Sequence, residues 1–265
     1  MSDERATPLL AVSDVTLRFG GVLALDSVSF EIQRGQIVGL IGPNGAGKTS
    51  FFNCVSRLYQ PSSGSITFDG LELMRLKRHN VIRLGIARTF QNVALFPRMT
   101  VLDNVLVGDH AHIASDTFAS ALRLGRARTA ERAAHERALV ALDVVGLRSQ
   151  ASAYCAMLPF PVQKRVELAR ALVSHPRLLL LDEPAGGLTH TDLRDLSELI
   201  RRIHDAFDLT VLLVEHHMNL VMSISDHVVV LSFGRKIAEG SPDEVRANPA
   251  VIEAYLGAGT AGAAA

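Results

Sequence analysis

Gly42-Pro43-Asn44-Gly45-Ala46-Gly47-Lys48-Thr49 fits the pattern G-x-x-x-x-G-K-[ST], and its flanks decide the fold. Ile37-Val38-Gly39-Leu40-Ile41 precedes it and reads as a short buried strand. Ser50 to Tyr59 follows, with apolar residues at helical spacing. A strand feeding a glycine turn feeding a helix is a cradle for phosphate. The turn gathers backbone N–H groups, and the helix N-terminus adds partial positive charge. Gly42, Gly45 and Gly47 let the chain approach the phosphates where a Cβ would stand in the way. Asn44, Ala46 and Ser50 complete the cradle. Lys48 would reach the β- and γ-phosphates of a nucleotide, and the Thr49 hydroxyl would ligate Mg²⁺.

The second signal is Leu178-Leu179-Leu180-Leu181-Asp182-Glu183. It reads as a buried strand that delivers two carboxylates at its C-terminal end, where open α/β sheets bind ligands. Asp182 would hold Mg²⁺ through its water shell. Glu183 would face an attacking water as general base. The third signal is His216, at the end of the strand Thr210-Val211-Leu212-Leu213-Val214, placed to contact the γ-phosphate. His217 is next to it, and continued strand geometry would turn the two to opposite faces.

Around these motifs, residues 9–33 read as two antiparallel strands joined at Gly20-Gly21. Ser65-Ile66-Thr67-Phe68 and Asp69-Gly70 read as a further strand and tight turn, and residues 85–91 as a strand ending on Gln91. From Val101 to Val145 alanine, leucine and arginine dominate. Ala134, Ala138, Leu142 and Val145 share one helical stripe of a helix over 130–147. Arg123, Arg126, Arg128, Arg132 and Arg137, within this helical insertion, read as a solvated helix face or as a docking surface for a partner. Helices are expected over Gln163–Val173 and Leu193–Phe207, and Val228-Val229-Val230-Leu231 is another buried strand. Continuous apolar strands alternating with helices predict a parallel sheet covered on both faces. The fold class is therefore α/β: a P-loop NTPase (RecA-like) core, an N-terminal antiparallel β subdomain and an inserted α-helical subdomain.

Composition narrows the class. The chain has 265 residues, 48% of them hydrophobic, which supports a large core. Lys+Arg and Asp+Glu both number 27, so bulk charge gives no case for nucleic acid as a partner. Two cysteines, Cys54 and Cys155, are too few for a disulfide framework and read as thiols in a reducing compartment. No charged start leads into an apolar run, and no window resembles a membrane span. A cytoplasmic protein is expected, meeting a membrane only through a partner.

With these motifs in place the chain resembles the nucleotide-binding subunits of ABC transporters, and most of all those of branched-chain amino acid importers. The resemblance runs over nearly all of residues 9–257. It is carried by Arg88-Thr89-Phe90-Gln91-Asn92, Leu95-Phe96, Thr100 to Val105, Val166 to Leu172, Val214-Glu215-His216, Glu239-Gly240-Ser241-Pro242 and Val251 to Gly257. It implies that Phe19 stacks on adenine, Gln91 sits near Mg²⁺ and His216 is the switch histidine. It further implies ATP and Mg²⁺ as cofactors, membrane permease subunits and a second ATPase subunit as partners, and indirectly a solute-binding protein. The place of action would be the inner face of the cell membrane. One ABC ATPase domain over 1–256 is expected. Residues 9–91 and 166–256 would form its core and 92–165 its helical insertion, with a disordered tail over 257–265. The rival readings are a soluble ABC ATPase and a regulatory nucleotide-binding module, both without a permease.

One stretch departs from the resembled pattern. The signature motif, which clamps the γ-phosphate held by the other subunit, reads Leu158-Pro159-Phe160-Pro161-Val162-Gln163. Pro161 stands where the family has glycine. It has no N–H to give, and it disfavours helical geometry at Phe160. The loop Ala185-Gly186-Gly187-Leu188, followed by Thr189-His190, is altered too.

Overall fold

The apolar runs pair into one six-stranded sheet in the order β10-β9-β3-β8-β7-β6. Its strands are β3 (Ile37–Ile41), β6 (Ile86–Arg88), β7 (Leu178–Asp182), β8 (Thr210–Val214), β9 (His227–Ser232) and β10 (Arg235–Gly240). All neighbours are parallel except the edge pair β9–β10. A second sheet, in the order β2-β1-β4-β5, holds β1 (Leu10–Phe19), β2 (Val22–Ile32), β4 (Ser63–Phe68) and β5 (Leu71–Glu72), all antiparallel. The computed structural model describes residues 7–77, 80–89, 94–109 and 124–261.

Period-two geometry explains why the central strands are apolar at every position. Leu178 and Leu180, Leu212 and Val214, and Val229 and Leu231 face one core with Phe51, Phe52 and Phe68. Leu179, Leu181, Val211, Leu213, Val228 and Val230 face the other, which the helices cover. The first core is closed by α1 (Lys48–Val55) and the antiparallel sheet; Phe30 and Phe51 meet there at 5.1 Å between ring centroids. Burying one such side chain is worth about 1.5–3 kcal/mol, so the strands have no solvent face to offer.

The remaining helices are α2 (Val101–Gly108), α3 (Leu124–Val144), α4 (Phe160–Leu172), α5 (His190–Phe207), α6 (Met218–Ile224), α7 (Pro242–Ala247) and α8 (Pro249–Ala261). Three of them start on reciprocal caps: Thr100 with Asp103 for α2, Thr189 with Asp192 for α5, and Ser241 with Glu244 for α7. The stripe Ala134, Ala138, Leu142 and Val145 is buried, as the periodicity predicts. Arg137 is only partly solvated: it pairs at 2.5 Å with Asp109, whose side chain is wholly buried. Arg132 is exposed; Arg123 lies outside the described residues, as do the side chains of Arg126 and Arg128. α8 continues to Ala261, so the chain stays helical through the first five residues of the expected disordered tail. Among the described residues no helix is long and apolar enough to cross a membrane.

Candidate functional site

Three strand ends meet at one edge of the parallel sheet. Leu40 and Asp182 both pair with Val214, so the chain leaves β3, β7 and β8 side by side. β3 runs into the glycine turn, β7 into Asp182-Glu183 and β8 into Glu215-His216-His217. Motifs up to 174 residues apart, from Gly42 to His216, are thereby brought together.

The turn has the shape that phosphate needs. Gly42 has φ 151° and Gly47 φ 100°, both in the glycine region. A Cβ on Gly42 would stand 2.1 Å from the Leu231 carbonyl oxygen, and one on Gly47 2.6 Å from that of Ala24. The turn is thus packed from behind and open in front, where Asn44, Gly45 and Thr49 are exposed and Ser50 half-buried. Ala46 is buried, and its carbonyl accepts the Gly234 N–H at 3.1 Å. Lys48 is 7% exposed, and its ammonium donates to the carbonyls of Gly42 at 2.6 Å and Pro43 at 3.1 Å. Burial lowers its pKa, while the negative charge of Glu183 opposes that shift. The ammonium is thus held across the mouth of the turn, with a carboxylate of the second motif close enough to act on it.

Asp182 is 5% exposed and pairs through Oδ2 with the Arg88 guanidinium at 2.6 Å. Arg88 also donates to Asn53 Oδ1 at 2.8 Å and Ser56 Oγ at 3.1 Å, which fixes the carboxylate to α1 just behind the turn. Sequence reasoning gave Arg88 no part in the site; its signal was a charge inside the strand read over 85–91, which the structure ends at Arg88. Glu183 has φ 47°, a left-handed conformation that costs a non-glycine residue about 1 kcal/mol or more. Its N–H donates to the Val214 carbonyl at 2.9 Å and its carbonyl accepts the Gly186 N–H at 3.1 Å. The backbone therefore turns at the carboxylate, ending the strand alternation.

Past β8 the alternation also ends. His216 and His217 do not turn to opposite faces: their rings lie 4.5 Å apart at 35°. The cause is Glu215, whose side chain is wholly buried. Its Oε1 accepts the Ala185 N–H at 2.6 Å, and its Oε2 accepts the N–H groups of His216 at 3.1 Å and His217 at 3.4 Å. A carboxylate collecting three amides bends the chain around itself. Its sequence signal was an acid closing an apolar strand, where an unpaired charge is untenable.

Phe19, the last residue of β1, is 45% exposed, so it is not strand core. Tyr59 meets it edge to face at 5.0 Å and 76°, which holds the ring upright. Tyr59 carried no distinguishing signal beyond lying at the end of a helical run. Gln91, expected beside the metal, lies with Asn92 outside the described residues.

The stretch Leu158 to Gln163 is apart from this edge, at the start of α4. The helix begins at Phe160, three residues earlier than the spacing suggests, and Pro161 is its second residue. Pro161 does not prevent helical geometry at Phe160, because a first-turn proline lacks only an N–H that the helix leaves unpaired anyway. The amides of Val162 and Gln163 both donate to the Pro159 carbonyl at 3.0 Å, and the Gln163 side chain to the Leu158 carbonyl at 2.9 Å. Pro159 and Pro161 have no N–H, and Val162 and Gln163 spend theirs on Pro159, so among the described residues Phe160 brings the one unspent amide to this helix start. Its ring, 43% exposed, rests on Gly187 in the loop after Glu183.

Comparison with known proteins agrees with this geometry. The ABC transporter family model matches residues 25–186, more than half of the chain. A model described as branched-chain amino acid ATP-binding cassette transporter matches residues 235–261. The high-affinity branched-chain amino acid transport ATP-binding protein BraF of Pseudomonas aeruginosa is 46% identical over 250 residues, 94% of this chain and 98% of that one. LivG of Escherichia coli K12, with the same description, is 42% identical over the same shares. Among solved structures, an ABC transporter cassette in its ADP conformation superposes with TM-score 0.81 at 27% identity, over 95% of this chain and all of that one. A nucleotide-free cassette gives 0.80 at 26%, over 94% and 99%.

Proposed function

This chain belongs to the ABC transporter family of ATP-binding subunits, and on that premise we propose that it drives import of branched-chain or related amino acids through membrane permease subunits. It is an ATPase. The observation that carries the proposal is the convergence of Lys48, Asp182, Glu183 and His216 at one sheet edge, in a chain whose relatives serve such transport.

In the proposed reaction Lys48 leaves the two carbonyls that hold it and pairs with the β- and γ-phosphates, exchanging neutral acceptors for charged ones. Phe19, braced by Tyr59, stacks on adenine, and the amides from Gly42 to Ser50 surround the phosphates. The Thr49 hydroxyl, Gln91 and, through its water shell, Asp182 would hold Mg²⁺, which takes such hard oxygen donors and would neutralise the phosphate charge there. Glu183 orients water in line with the γ-phosphorus and accepts its proton. His216 hydrogen-bonds the γ-phosphate as charge builds on it.

The domain reading goes with this: 9–91 and 166–256 as core, 92–165 as helical insertion. The partner surface belongs to the insertion. Phe96, Tyr154 and Met157 are exposed at 49%, 57% and 81%, and hydrogen bonds join their segments: the Ala156 N–H to the Pro97 carbonyl and the Cys155 N–H to that of Met99. A permease helix docked there would hold the subunit on the inner face of the membrane. With one unspent amide at its own signature, the chain is suited to a heterodimer with an intact paralogue rather than a homodimer. A solute-binding protein would complete the system.

The test is reconstitution with permease subunits and a solute-binding protein of the branched-chain amino acid importer type. ATP-dependent uptake of labelled leucine that stops with Lys48→Ala supports the reading. ATPase activity without permease association would favour a soluble ABC ATPase, and nucleotide binding without turnover a regulatory module.

A further inference from the structure

The cluster Glu215, His216 and His217 has a capacity that ATP hydrolysis does not use. One donor atom from each residue lies within 4.8 Å of the other two. The imidazoles are tilted together at 4.5 Å, and His216 Nδ1 is 4.0 Å from Glu215 Oε2. We propose that these three side chains form a binding site for a divalent transition-metal ion such as Zn²⁺ or Co²⁺, and that its occupation withdraws His216 from the nucleotide.

The chemistry selects the ion. Two imidazole nitrogens and one carboxylate oxygen suit Zn²⁺ and Co²⁺, whereas Mg²⁺ takes oxygen donors. Bonds of about 2.0–2.1 Å in a tetrahedron put donors about 3.3 Å apart, so small rotations of the two rings close the site. The carboxylate is already held by the amides of Ala185, His216 and His217, which leaves one of its about four lone-pair sites for the ion. An entry route exists, because both histidines line an open cleft of about 610 Å³ between α5 and α6, with Leu193, Arg194, Ser197 and Asn219. The fourth position is left to water. The free thiols Cys54 and Cys155 are both buried and do not compete.

The inhibitory half of the proposal rests on the role given to His216; the binding half does not, and the experiment separates them. Equilibrium dialysis of the full chain against Zn²⁺ without nucleotide, and the visible absorption of a Co²⁺ complex, measure binding. His217→Gln removes a donor, and His217→Phe removes it while keeping a ring in the stack, which guards against an effect of folding alone. The expected result is one ion per chain in the wild type, and at least tenfold weaker binding in both variants. Equal binding by wild type and both variants, or none by the wild type, overturns the site. Steady-state ATPase at saturating Mg-ATP is then titrated with Zn²⁺. Wild type should be inhibited, while both variants keep their basal rate and need at least tenfold more zinc. Ion binding without inhibition supports the site and overturns the withdrawal of His216.

Discussion

Glu183 combines two features: a left-handed backbone and a negative charge that acts on the Lys48 ammonium. The strain stays in Glu183→Gln, because the backbone is unchanged, so the variant should melt like the wild type. Removing the proton acceptor should lower ATPase by at least about a hundredfold while nucleotide binding persists. Fluorescent-nucleotide titration beside a phosphate-release assay checks both halves, and turnover near the wild-type rate would exclude Glu183 as the base. His204 gives a second residue-scale prediction. Burial lowers its pKa, but hydrogen bonds to Asp205 and to the Gly35 carbonyl, both at 2.9 Å, outweigh this and raise it above the ordinary histidine value of 6.5. A raised folded-state value means that the stabilisation is complete below pH 6.5 and is lost as pH rises through the higher value. Thermal melts from pH 6.5 upward should show a falling midpoint that His204→Asn flattens. An identical slope in the variant would remove His204 from the account.

Among the elements, α4 carries the stretch proposed to reach a neighbour's nucleotide. A glycine at 161 would restore an amide to a helix start that now has one to spare. One charge-assisted contact to phosphate is worth about 1.5–3 kcal/mol, or about tenfold to a hundredfold in rate. ATPase of the chain alone should be weak and should rise by that factor in Pro161→Gly; a paralogue should raise the wild type similarly. Equal rates for the wild type and Pro161→Gly, each alone, would mean that the amide is not needed. The loop before α2 makes the other element-scale prediction. Phe96 is half exposed, and its backbone is held by Asn104, whose Oδ1 accepts the Phe96 N–H at 2.8 Å and whose Nδ2 donates to its carbonyl at 3.0 Å. Phe96→Asp should therefore fold and hydrolyse ATP yet lose leucine uptake by tenfold or more. A collapsed melt instead would show that the ring serves the fold.

Across the whole molecule, what the sequence disclosed was what repeats or punctuates. Apolar runs such as Leu178–Leu181 announced strands covered on both faces, and the glycine turn announced phosphate. Turns made by polar side chains were not legible. Glu183 leaves strand geometry through its own φ, and Glu215 draws the two histidines together by binding their amides, so period-two reasoning failed at His217. Phe160 entered its helix earlier than expected because a first-turn proline is compatible with helix, a matter of position rather than composition. Tyr59 and Arg88 entered the site through contacts made 40 and 94 residues away, with Phe19 and Asp182, which no local window contains.

The contact of Phe160 with Gly187 gives the fold a grammar of its own. The helix start that the proposed dimer would lend to a neighbour leans on the loop that follows its own carboxylates, and that loop is pinned through Ala185 to the carboxylate holding the amides of His216 and His217. Giving and receiving are written into one continuous piece of protein. In a closed pair, each chain's grip on its neighbour's nucleotide would report on the state of its own, and the two halves would take turns rather than act as strangers.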